Sequence, residues 1–286
     1  MIRRRLKGAE LALIAQISAT AAISLLAIRA AGAGTASVAV QAAAFMIGVM
    51  ALWAASRTGR PGRGPRLIVA LAILVVAVLM LTTGVEMQGA HRWLALGPVL
   101  IHPASLLGAP LLWLVAQDAD DVWTAGVAAL AILTFGAGFD GAASLAFAVG
   151  AIGLLTAARG SWKTLAPLAA LSWILALWSL TRAQALPRVP YVEDVVPTVW
   201  AVAPVLGVAA VIALILLSAP LLWMGWRARG IGAAGLAMAG FWIGLSAANL
   251  LGAYPAPVVG YGASPVIGWL VAIGLAMASV RRTRFQ

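Results

Sequence analysis

Long apolar runs recur along the whole chain, and they constrain its fold more than any other feature of the sequence. A helix needs about 20 apolar residues to cross the roughly 30 Å of hydrocarbon in a bilayer. Apolar residues make up 63% of the 286 residues and charged residues only 9%, a composition that no single soluble core could bury. The sequence therefore predicts an all-α, polytopic membrane protein without a separate soluble domain.

Polar, glycine-rich and proline-rich segments divide the apolar runs into ten predicted transmembrane helices within one membrane domain, residues 1–286. The first run follows basic residues and could pass for a signal peptide, but its length and the many runs behind it favour a signal anchor. It is therefore counted as span one. The predicted spans cover residues 9–30, 35–55, 66–84, 103–117, 122–138, 141–158, 163–182, 195–225, 231–252 and 264–281.

The basic residues predict the orientation of these spans. With the N-terminus in the cytoplasm, ten spans return the C-terminus to the same side and place 15 of the 19 Lys and Arg residues inside. Arg29, Arg92, Arg182 and Arg188 remain outside. Such an excess of inside cations follows the positive-inside rule, so both termini are predicted to be cytoplasmic.

The same distribution accounts for the net charge of +11. Because the cations lie in short connections between apolar runs, they indicate topology and not a nucleic-acid partner. The chain contains no cysteine, which excludes disulfides and thiolate metal sites. Its two histidines, His91 and His102, are eleven residues apart without a third ligand nearby, so no metal site is predicted from them.

The connection between spans three and four, "GVEMQGAHRWLALGPVLIHP", collects unusual residues in one place. It contains Glu86, both histidines and Arg92 beside Trp93. Apolar residues from Trp93 onward recur at roughly helical spacing, with Pro98 interrupting, which predicts a short segment lying in the membrane interface.

Three segments of the chain carry motifs of a known family. The first segment is "QGAHRWLALGPVLIHPAS", which is similar to the family's "NGARRW", followed by "LG", a short gap and "QPSE". The second is "LPRVPYVEDVVPTVW", which is similar to "LPEAHTDFIF". The third is "PVVGYGASPVIGWLVAIGLAMASVRR", which is similar to "PFVSYGGSS" and the span that follows it. Gln41 matches a glutamine common in the second span, and Asp140 in "GFDGAAS" matches "PDLGTA" more faintly. In motif order and spacing the chain resembles the SEDS family (shape, elongation, division and sporulation; the FtsW, RodA and SpoVE type).

The resemblance implies a SEDS-like fold and a peptidoglycan glycosyltransferase that polymerises lipid II, a lipid-linked disaccharide pentapeptide, at the outer face of the bacterial cytoplasmic membrane. It aligns Asp194 with the essential aspartate of the family, which would act as general base. Cationic side chains would hold the departing pyrophosphate. The residues implied to bind substrate are Arg92, His91, His102, Arg188, Tyr261 and Ser264.

The chain departs from the family at several functional positions. Ser105 replaces the glutamate of "QPSE", and Gly108 replaces a lysine three residues further on. His91 replaces the first arginine of "RRW", and His102 replaces the glutamine before the proline. The carboxylates of the family's "EELG" are missing, and the loop at about 183–194, which helps to engage the partner protein, is far shorter.

These departures leave three readings open. The first is a SEDS-type glycosyltransferase acting on an undecaprenyl-linked sugar in cell division, elongation or cell shape. The second is a SEDS-derived membrane scaffold that has lost catalysis, which the missing glutamate and lysine favour. The third is a carrier of a lipid-linked substrate; it ranks last because the ionisable residues cluster at span ends.

The resemblance also implies partners. These are lipid II or another undecaprenyl-linked sugar, membrane lipids, and a class B penicillin-binding protein or other single-span membrane protein, with no nucleic acid. The residues predict no resident cofactor. A divalent metal stays open, because polymerases of this family are helped by such metals.

The predicted topology is testable by cysteine labelling, since the chain has no native cysteine. His91→Cys and Tyr261→Cys should each react with a membrane-impermeant maleimide added from outside the cell. Reaction of either variant only from the cytoplasmic side would show that the predicted topology is wrong.

Overall fold

The computed structural model describes residues 2–97, 99–158, 160–181, 188–227, 232–252 and 254–282, with the backbone alone for residues 2–7, 227, 281 and 282. The predicted span ends at 182 and 231 and residues 183–187 of the shortened loop lie outside the described residues. The helices are α1 (Ile2–Ala30), α2 (Thr35–Ala55), α3 (Arg63–Thr83), α4 (Pro103–Ala116), α5 (Val122–Ala137), α6 (Gly141–Ala157), α7 (Trp162–Thr181), α8 (Val195–Val202), α9 (Pro204–Leu216), α10 (Ala219–Arg227), α11 (Gly232–Leu251) and α12 (Ala263–Arg282); the strands are β1 (Val85–Met87), β2 (Ala90–Leu96) and β3 (Val99–Ile101).

The helices have the lengths and composition of a polytopic membrane protein. Among the described residues, seven helical segments are long and apolar enough to cross a membrane, the α9–α10 pair counting as one. The helices α4, α5 and α6 are also apolar but only 14, 16 and 17 residues long. The predicted all-α polytopic membrane fold is thus confirmed, while the number of spans stays a prediction.

Close contact between α6 and α11 forms the centre of the bundle. A side chain at Gly244 would meet the Cα atom of Ala146 at 2.5 Å, and one at Gly240 would meet the Cα atom of Gly150 at 2.9 Å. Small residues at such crossings let two backbones approach closely, which gives packing energy where lipid provides no hydrophobic drive between helices.

The predicted eighth span, 195–225, is broken into α8, α9 and α10. Pro204 has no backbone N–H and occupies the first turn of α9, while Ala203 has non-helical backbone angles, φ −150° and ψ 78°, between the two helices. Proline suits the first turn of a helix but interrupts a continuous one. The structure therefore divides this predicted span among three helices.

The connection between α3 and α4 is a three-stranded antiparallel sheet and not a helical interface segment. Gln88 and Gly89 both have positive φ, at 50° and 82°, as a two-residue hairpin turn of the type I′ kind requires. Strand β2 then pairs with β3 through Leu96 and Val99, across the Gly97 turn that would interrupt a helix. Hydrogen bonding between strands therefore determines the structure of residues 85–101, although the apolar spacing from Trp93 onward is roughly helical.

The end of the bundle opposite the sheet carries a cluster of paired charges. Arg66, buried in the first turn of α3, places Nη2 2.8 Å from Asp118 Oδ2 and 3.3 Å from Asp121 Oδ2. Asp121 also caps α5 by accepting a hydrogen bond from the Trp123 amide. The acidic connection between α4 and α5, residues 117–121 ("QDADD"), thus forms ion pairs with the basic N-terminal end of α3. Both lie on the side predicted to be cytoplasmic.

Gln41 of α2 fixes the loop between α11 and α12 (the 254–262 loop). Its Nε2 lies 3.1 Å from Ser24 Oγ, 3.2 Å from the Val258 carbonyl oxygen and 3.1 Å from that of Gly260. Its Oε1 accepts a hydrogen bond from the Gly262 amide at 3.0 Å. The buried side-chain amide of Gln41 thereby forms hydrogen bonds with backbone groups of the loop, which lies among the helices but has no helical hydrogen bonds of its own. Backbone groups inside a membrane protein require such partners because no lipid can supply them.

Replacing Gln41 should therefore weaken the fold strongly. Gln41→Leu leaves buried loop groups without partners, at about 1–3 kcal/mol for each, so the unfolding temperature in detergent should drop clearly. Thr82→Val is the matched control, because the exposed Thr82 hydroxyl bonds only within its own helix. Equal unfolding temperatures for the two variants would contradict this role of Gln41.

Candidate functional site

A cavity of about 230 Å³ lies at the sheet end of the bundle. Its walls come from the sheet, the first turn of α4, the start of α6, the loop before α8 and the 254–262 loop. All three segments that carry the motifs contribute to these walls. The lining residues are Met87, Arg92, Trp93, Leu100, His102, Ser105, Asp140, Ala142, Val192, Glu193, Leu245, Tyr254, Pro255, Pro257, Tyr261, Gly262, Ala263, Ser264 and Pro265.

Arg92 of β2 is the buried cation of the cavity, with only 4% of its surface exposed. Its Nε and Nη2 donate to the carbonyl oxygen of Phe139 at 3.1 and 2.8 Å, and its guanidinium lies 5.2 Å from the centre of the Tyr254 ring. Nη1 has no hydrogen-bond partner among the described residues. A buried guanidinium with an uncommitted N–H is suited to bind an anion.

Asp140, which precedes α6, is the most deeply buried carboxylate of the site at 1% exposure. Its Oδ1 accepts the amide of Ala143 at 3.0 Å and so caps the helix. Burial opposes its ionisation, but His102, Arg92 and the Ala143 amide outweigh burial and hold the pKa of the Asp140 carboxyl below its ordinary value. Asp140 is therefore a fixed negative charge beside Arg92.

His102 connects the sheet end of α4 to two other elements. Its side-chain Nδ1 accepts the Ser105 amide at 3.2 Å and so caps the start of α4. Nε2 lies 3.0 Å from Asp140 Oδ2, but the contact lacks hydrogen-bond geometry, and Oδ2 has no such partner among the described residues. The His102 amide donates to Ser264 Oγ at 2.9 Å. His102 thus positions Asp140 and the start of α12 together.

Two adjacent carboxylates before α8 face different surroundings. Glu193 lines the cavity, and its Oε2 accepts the Val189 amide at 2.9 Å. Asp194 is 30% exposed at its side chain and accepts a hydrogen bond from Arg188 at 3.0 Å. Burial, together with the negative charge of Asp194, raises the pKa of Glu193 above its ordinary value, although the Val189 amide, the amide of Glu193 itself and Arg92 oppose the rise.

Backbone contacts hold the segment before α8 (residues 188–194, the pre-α8 segment) against the 254–262 loop. The Tyr261 amide donates to the Tyr191 carbonyl at 2.9 Å, and the two tyrosine rings meet edge to face with centroids 6.0 Å apart. Asn249 Nδ2 donates to the carbonyl oxygens of Glu193 and Tyr254. The two motif segments therefore form one wall of the cavity.

Four of the seven predicted site residues line this cavity: Arg92, His102, Tyr261 and Ser264. The other three, His91, Arg188 and Asp194, are absent from its lining within the described part of the chain. The His91 amide bonds to the Gly138 carbonyl at 3.0 Å, which attaches the sheet to the α5–α6 connection. Arg188 and Asp194 pair with each other beside the cavity-lining Glu193.

Sequence reasoning did not select Glu193, Tyr254 or Asp140 as site residues. Asp140 both caps α6 and lines the cavity, and its faint match to "PDLGTA" was the available signal. Burial raises the pKa of the Tyr254 hydroxyl, and no motif marked this residue. Glu193 was not selected because the motif alignment assigned the catalytic carboxylate to the adjacent Asp194.

The two positions where the chain departs most from the family lie along α4. Ser105 lines the cavity, and its hydroxyl donates to the His102 carbonyl at 3.1 Å. At Gly108 a side chain would collide with the Phe241 ring and meet the Phe147 ring at 3.0 Å. Aromatic side chains therefore fill the space that a lysine at position 108 would need.

Within the described ranges, no group of three or more His, Cys, Asp or Glu residues is placed to hold a metal ion. The arrangement instead combines a buried cation, two carboxylates and two tyrosines in one pocket. Such a set can bind an anionic group at the cation and accept hydroxyl protons at the carboxylates.

The fold is similar to two crystal structures of the rod shape determining protein RodA from Thermus thermophilus. A mutant of RodA in which one aspartate is replaced by alanine matches with a TM-score of 0.71 at 20% identity, covering 96% of this chain and 98% of that chain. The other RodA structure matches at 0.69 and 21% identity, covering 96% and 97%. A chain of a peptidoglycan synthase complex, studied for the structural coordination of polymerization and crosslinking, matches at 0.66 and 18% identity, covering 96% and 98%.

These comparisons establish the fold. No protein-family profile and no curated protein sequence matches the chain, so the evidence of likeness is structural. RodA is a SEDS protein, and the SEDS-like fold expected from the motifs is confirmed over nearly the whole chain.

The filled space at Gly108 predicts a measurable cost for a single methyl group. Gly108→Ala should destabilise the protein by about 1–3 kcal/mol through overpacking, because Phe241 is enclosed by Phe147 and Trp242, with ring centres 5.2 and 5.8 Å away. Unfolding temperature in detergent is the readout.

The matched control is Gly126→Ala, in an exposed part of α5 where a Cβ would meet nothing within 4 Å. That variant should be as stable as the wild type or slightly more stable, since alanine favours helix over glycine. If both variants had the same unfolding temperature, the space at position 108 would be open.

Proposed function

We propose that the chain is a divergent member of the SEDS family that transfers a sugar from a lipid-linked pyrophosphate donor. The observation that carries the proposal is the meeting of the three motif-bearing segments in one cavity with a buried Arg92. The motifs were selected on sequence alone, and the likeness to RodA supports the same family. A chance resemblance would not be expected to bring all three to one site.

The chemistry of glycosyl transfer matches the groups in the cavity. The acceptor hydroxyl loses its proton to a carboxylate, its oxygen bonds to the anomeric carbon, and the bond to the pyrophosphate breaks, so that the electron pair leaves with the pyrophosphate. Arg92, with Nη1 uncommitted, would hold that anion, and Arg188 lies beside the cavity to assist. The family resemblance assigns the carboxylate to Asp194.

The substrate class follows from the setting of the cavity. Its polar groups lie at the end of an apolar bundle, and the sheet adds the apolar side chains of Met87, Trp93 and Leu100 to the wall. An amphiphile with an anionic head and an aliphatic chain fits this combination. Lipid II or another undecaprenyl-linked sugar is the donor we propose, with the sheet end at the outer face of the bacterial cytoplasmic membrane.

We also propose a membrane protein partner of the class B penicillin-binding type, or another single-span protein. The support is the likeness to a chain of a peptidoglycan synthase complex. The loop at 183–194 is shorter than the corresponding loop of the family. The proposed partner would therefore make a smaller contact at this loop than the partners of family members with longer loops make.

A catalytically inactive scaffold is the second candidate, and one observation favours it. Gly108 and Phe241 leave no room for the lysine of the family, and Ser105 cannot supply the carboxylate of the glutamate it replaces. A scaffold needs the fold and its partner surfaces but no buried cation with an uncommitted N–H in a cavity. The uncommitted Arg92 therefore favours the enzyme.

Polymerisation of labelled lipid II by the purified protein, with and without candidate partners, tests the proposal, with products resolved by gel. The wild type should form polymer, and Arg92→Gln should lose about 10²–10³-fold in rate, because the pyrophosphate loses its charge partner. Arg92→Lys should retain more activity, since it keeps the charge but not the planar fork.

Arg29→Gln is the control, because Arg29 is an exposed arginine predicted to lie on the same side of the membrane. It should polymerise at the wild-type rate. Absence of polymer from the wild type with every partner, while the fold remains intact, would favour the scaffold.

A further inference from the structure

The two carboxylates before α8 differ in what they can reach. Glu193 lines the cavity, whereas Asp194 does not. The motif resemblance selects Asp194, but it cannot distinguish neighbouring side chains that point in different directions. The geometry around each carboxylate does distinguish them.

Glu193 is held in place by one of its two oxygens. Oε2 accepts the Val189 amide at 2.9 Å, and the backbone carbonyl of Glu193 accepts Asn249 Nδ2 at 2.9 Å. Oε1 accepts no hydrogen bond from another residue in the part of the chain that the structure describes. The side chain is therefore positioned by the fold and still has an oxygen available for a ligand.

The Asp194 carboxylate is committed elsewhere. Its Oδ1 accepts the Arg188 guanidinium at 3.0 Å, and both side chains are partly exposed. That oxygen faces Arg188, and the Asp194 side chain is absent from the cavity lining within the described residues. The contact instead positions Arg188 beside the cavity.

The surroundings of Glu193 also suit proton transfer. A general base works best when its pKa lies near the operating pH. Burial raises the pKa of the Glu193 carboxyl, and the negative charge of Asp194 raises it further, against the opposing effects of the Val189 amide, the amide of Glu193 itself and Arg92. Two neighbouring carboxylates in different environments commonly divide acid–base roles in this way.

We propose that Glu193, and not Asp194, accepts the proton of the sugar hydroxyl in the transfer reaction. The inference rests on the proposed function. In the step, the hydroxyl O–H bond breaks and the proton moves to Oε1 of Glu193, while the oxygen bonds to the anomeric carbon. The carbon–oxygen bond to the pyrophosphate breaks, and its electron pair leaves with the anion beside Arg92. Glu193 then returns the proton to water.

Polymerisation kinetics of four variants of the full chain with labelled lipid II test this assignment. Glu193→Gln should lower kcat by about 10²–10⁴-fold with KM nearly unchanged, because the amide keeps the shape and can still accept the Val189 amide but cannot take a proton. Glu193→Asp should recover part of the loss. Asp194→Asn should lose about tenfold at most, through the loosened Arg188. Glu86→Gln, an exposed carboxyl of β1 outside this machinery, should retain the wild-type rate.

The pH profile separates a base from a structural residue. The base acts when ionised, so the wild-type rate should fall as the pH drops through the pKa of Glu193, and this fall should occur above the ordinary glutamate value of about 4.3. Asp194→Asn should keep this fall, and the residual activity of Glu193→Gln should lack it. Unfolding temperatures of all variants check that the fold is retained.

Two results would overturn the assignment while leaving the function intact. One is a Glu193→Gln variant that retains wild-type kcat, and the other is an Asp194→Asn variant that loses both activity and the acid limb while Glu193→Gln keeps them. Wild-type protein that makes no polymer with any partner would instead overturn the proposed function, and this inference with it.

Discussion

The buried guanidinium of Arg92 is the interaction on which the cavity depends. A buried cation is costly unless charges and hydrogen-bond acceptors compensate it. Here the compensation comes from the Phe139 carbonyl, the neighbouring Asp140 carboxylate and the face of Tyr254. Phe139 adopts a positive φ of 56°, a conformation that costs free energy in a non-glycine residue, and this places the carbonyl against Arg92. The sheet, the start of α6 and the 254–262 loop are thereby held around one charge.

The rest of the fold supplies rigidity to that arrangement. Glycine contacts between α6 and α11 fix the helix that Asp140 caps, and Gln41 fixes the 254–262 loop from the opposite side. His102 joins these two regions through Asp140 and Ser264. These contacts thus determine where the charged groups of the cavity lie and keep them in place before any ligand binds.

The sequence predicted the features that depend on the bilayer and on motifs. Apolar runs require membrane helices whatever their neighbours, so the polytopic fold followed from composition and spacing. The sheet at 85–101 did not follow, because strand pairing depends on which backbone groups meet, and the apolar spacing from Trp93 onward fits a helix as well. Pro204 itself indicates a helix interruption, but the apolar run on both sides of it is continuous, and the run was therefore assigned to a single span.

The candidate site was predicted in part for the same reason. Arg92, His102, Tyr261 and Ser264 belong to motifs, and the fold brings them together. Glu193 could not be separated from Asp194 by sequence, since adjacent residues share every motif and differ only in side-chain direction. The sequence shows that glycine occupies position 108, where the family has lysine. Only the structure shows that the Phe241 ring fills the space beside it.

The central claim is that the Arg92 cavity binds the pyrophosphate of a lipid-linked sugar beside Glu193. An experimental structure of the protein with bound lipid II tests it most directly. The account predicts pyrophosphate oxygens within hydrogen-bond distance of the Arg92 guanidinium, with Glu193 Oε1 facing the site of the acceptor hydroxyl. Lipid II bound with its pyrophosphate away from Arg92, or with Asp194 and not Glu193 directed at the acceptor position, would contradict it.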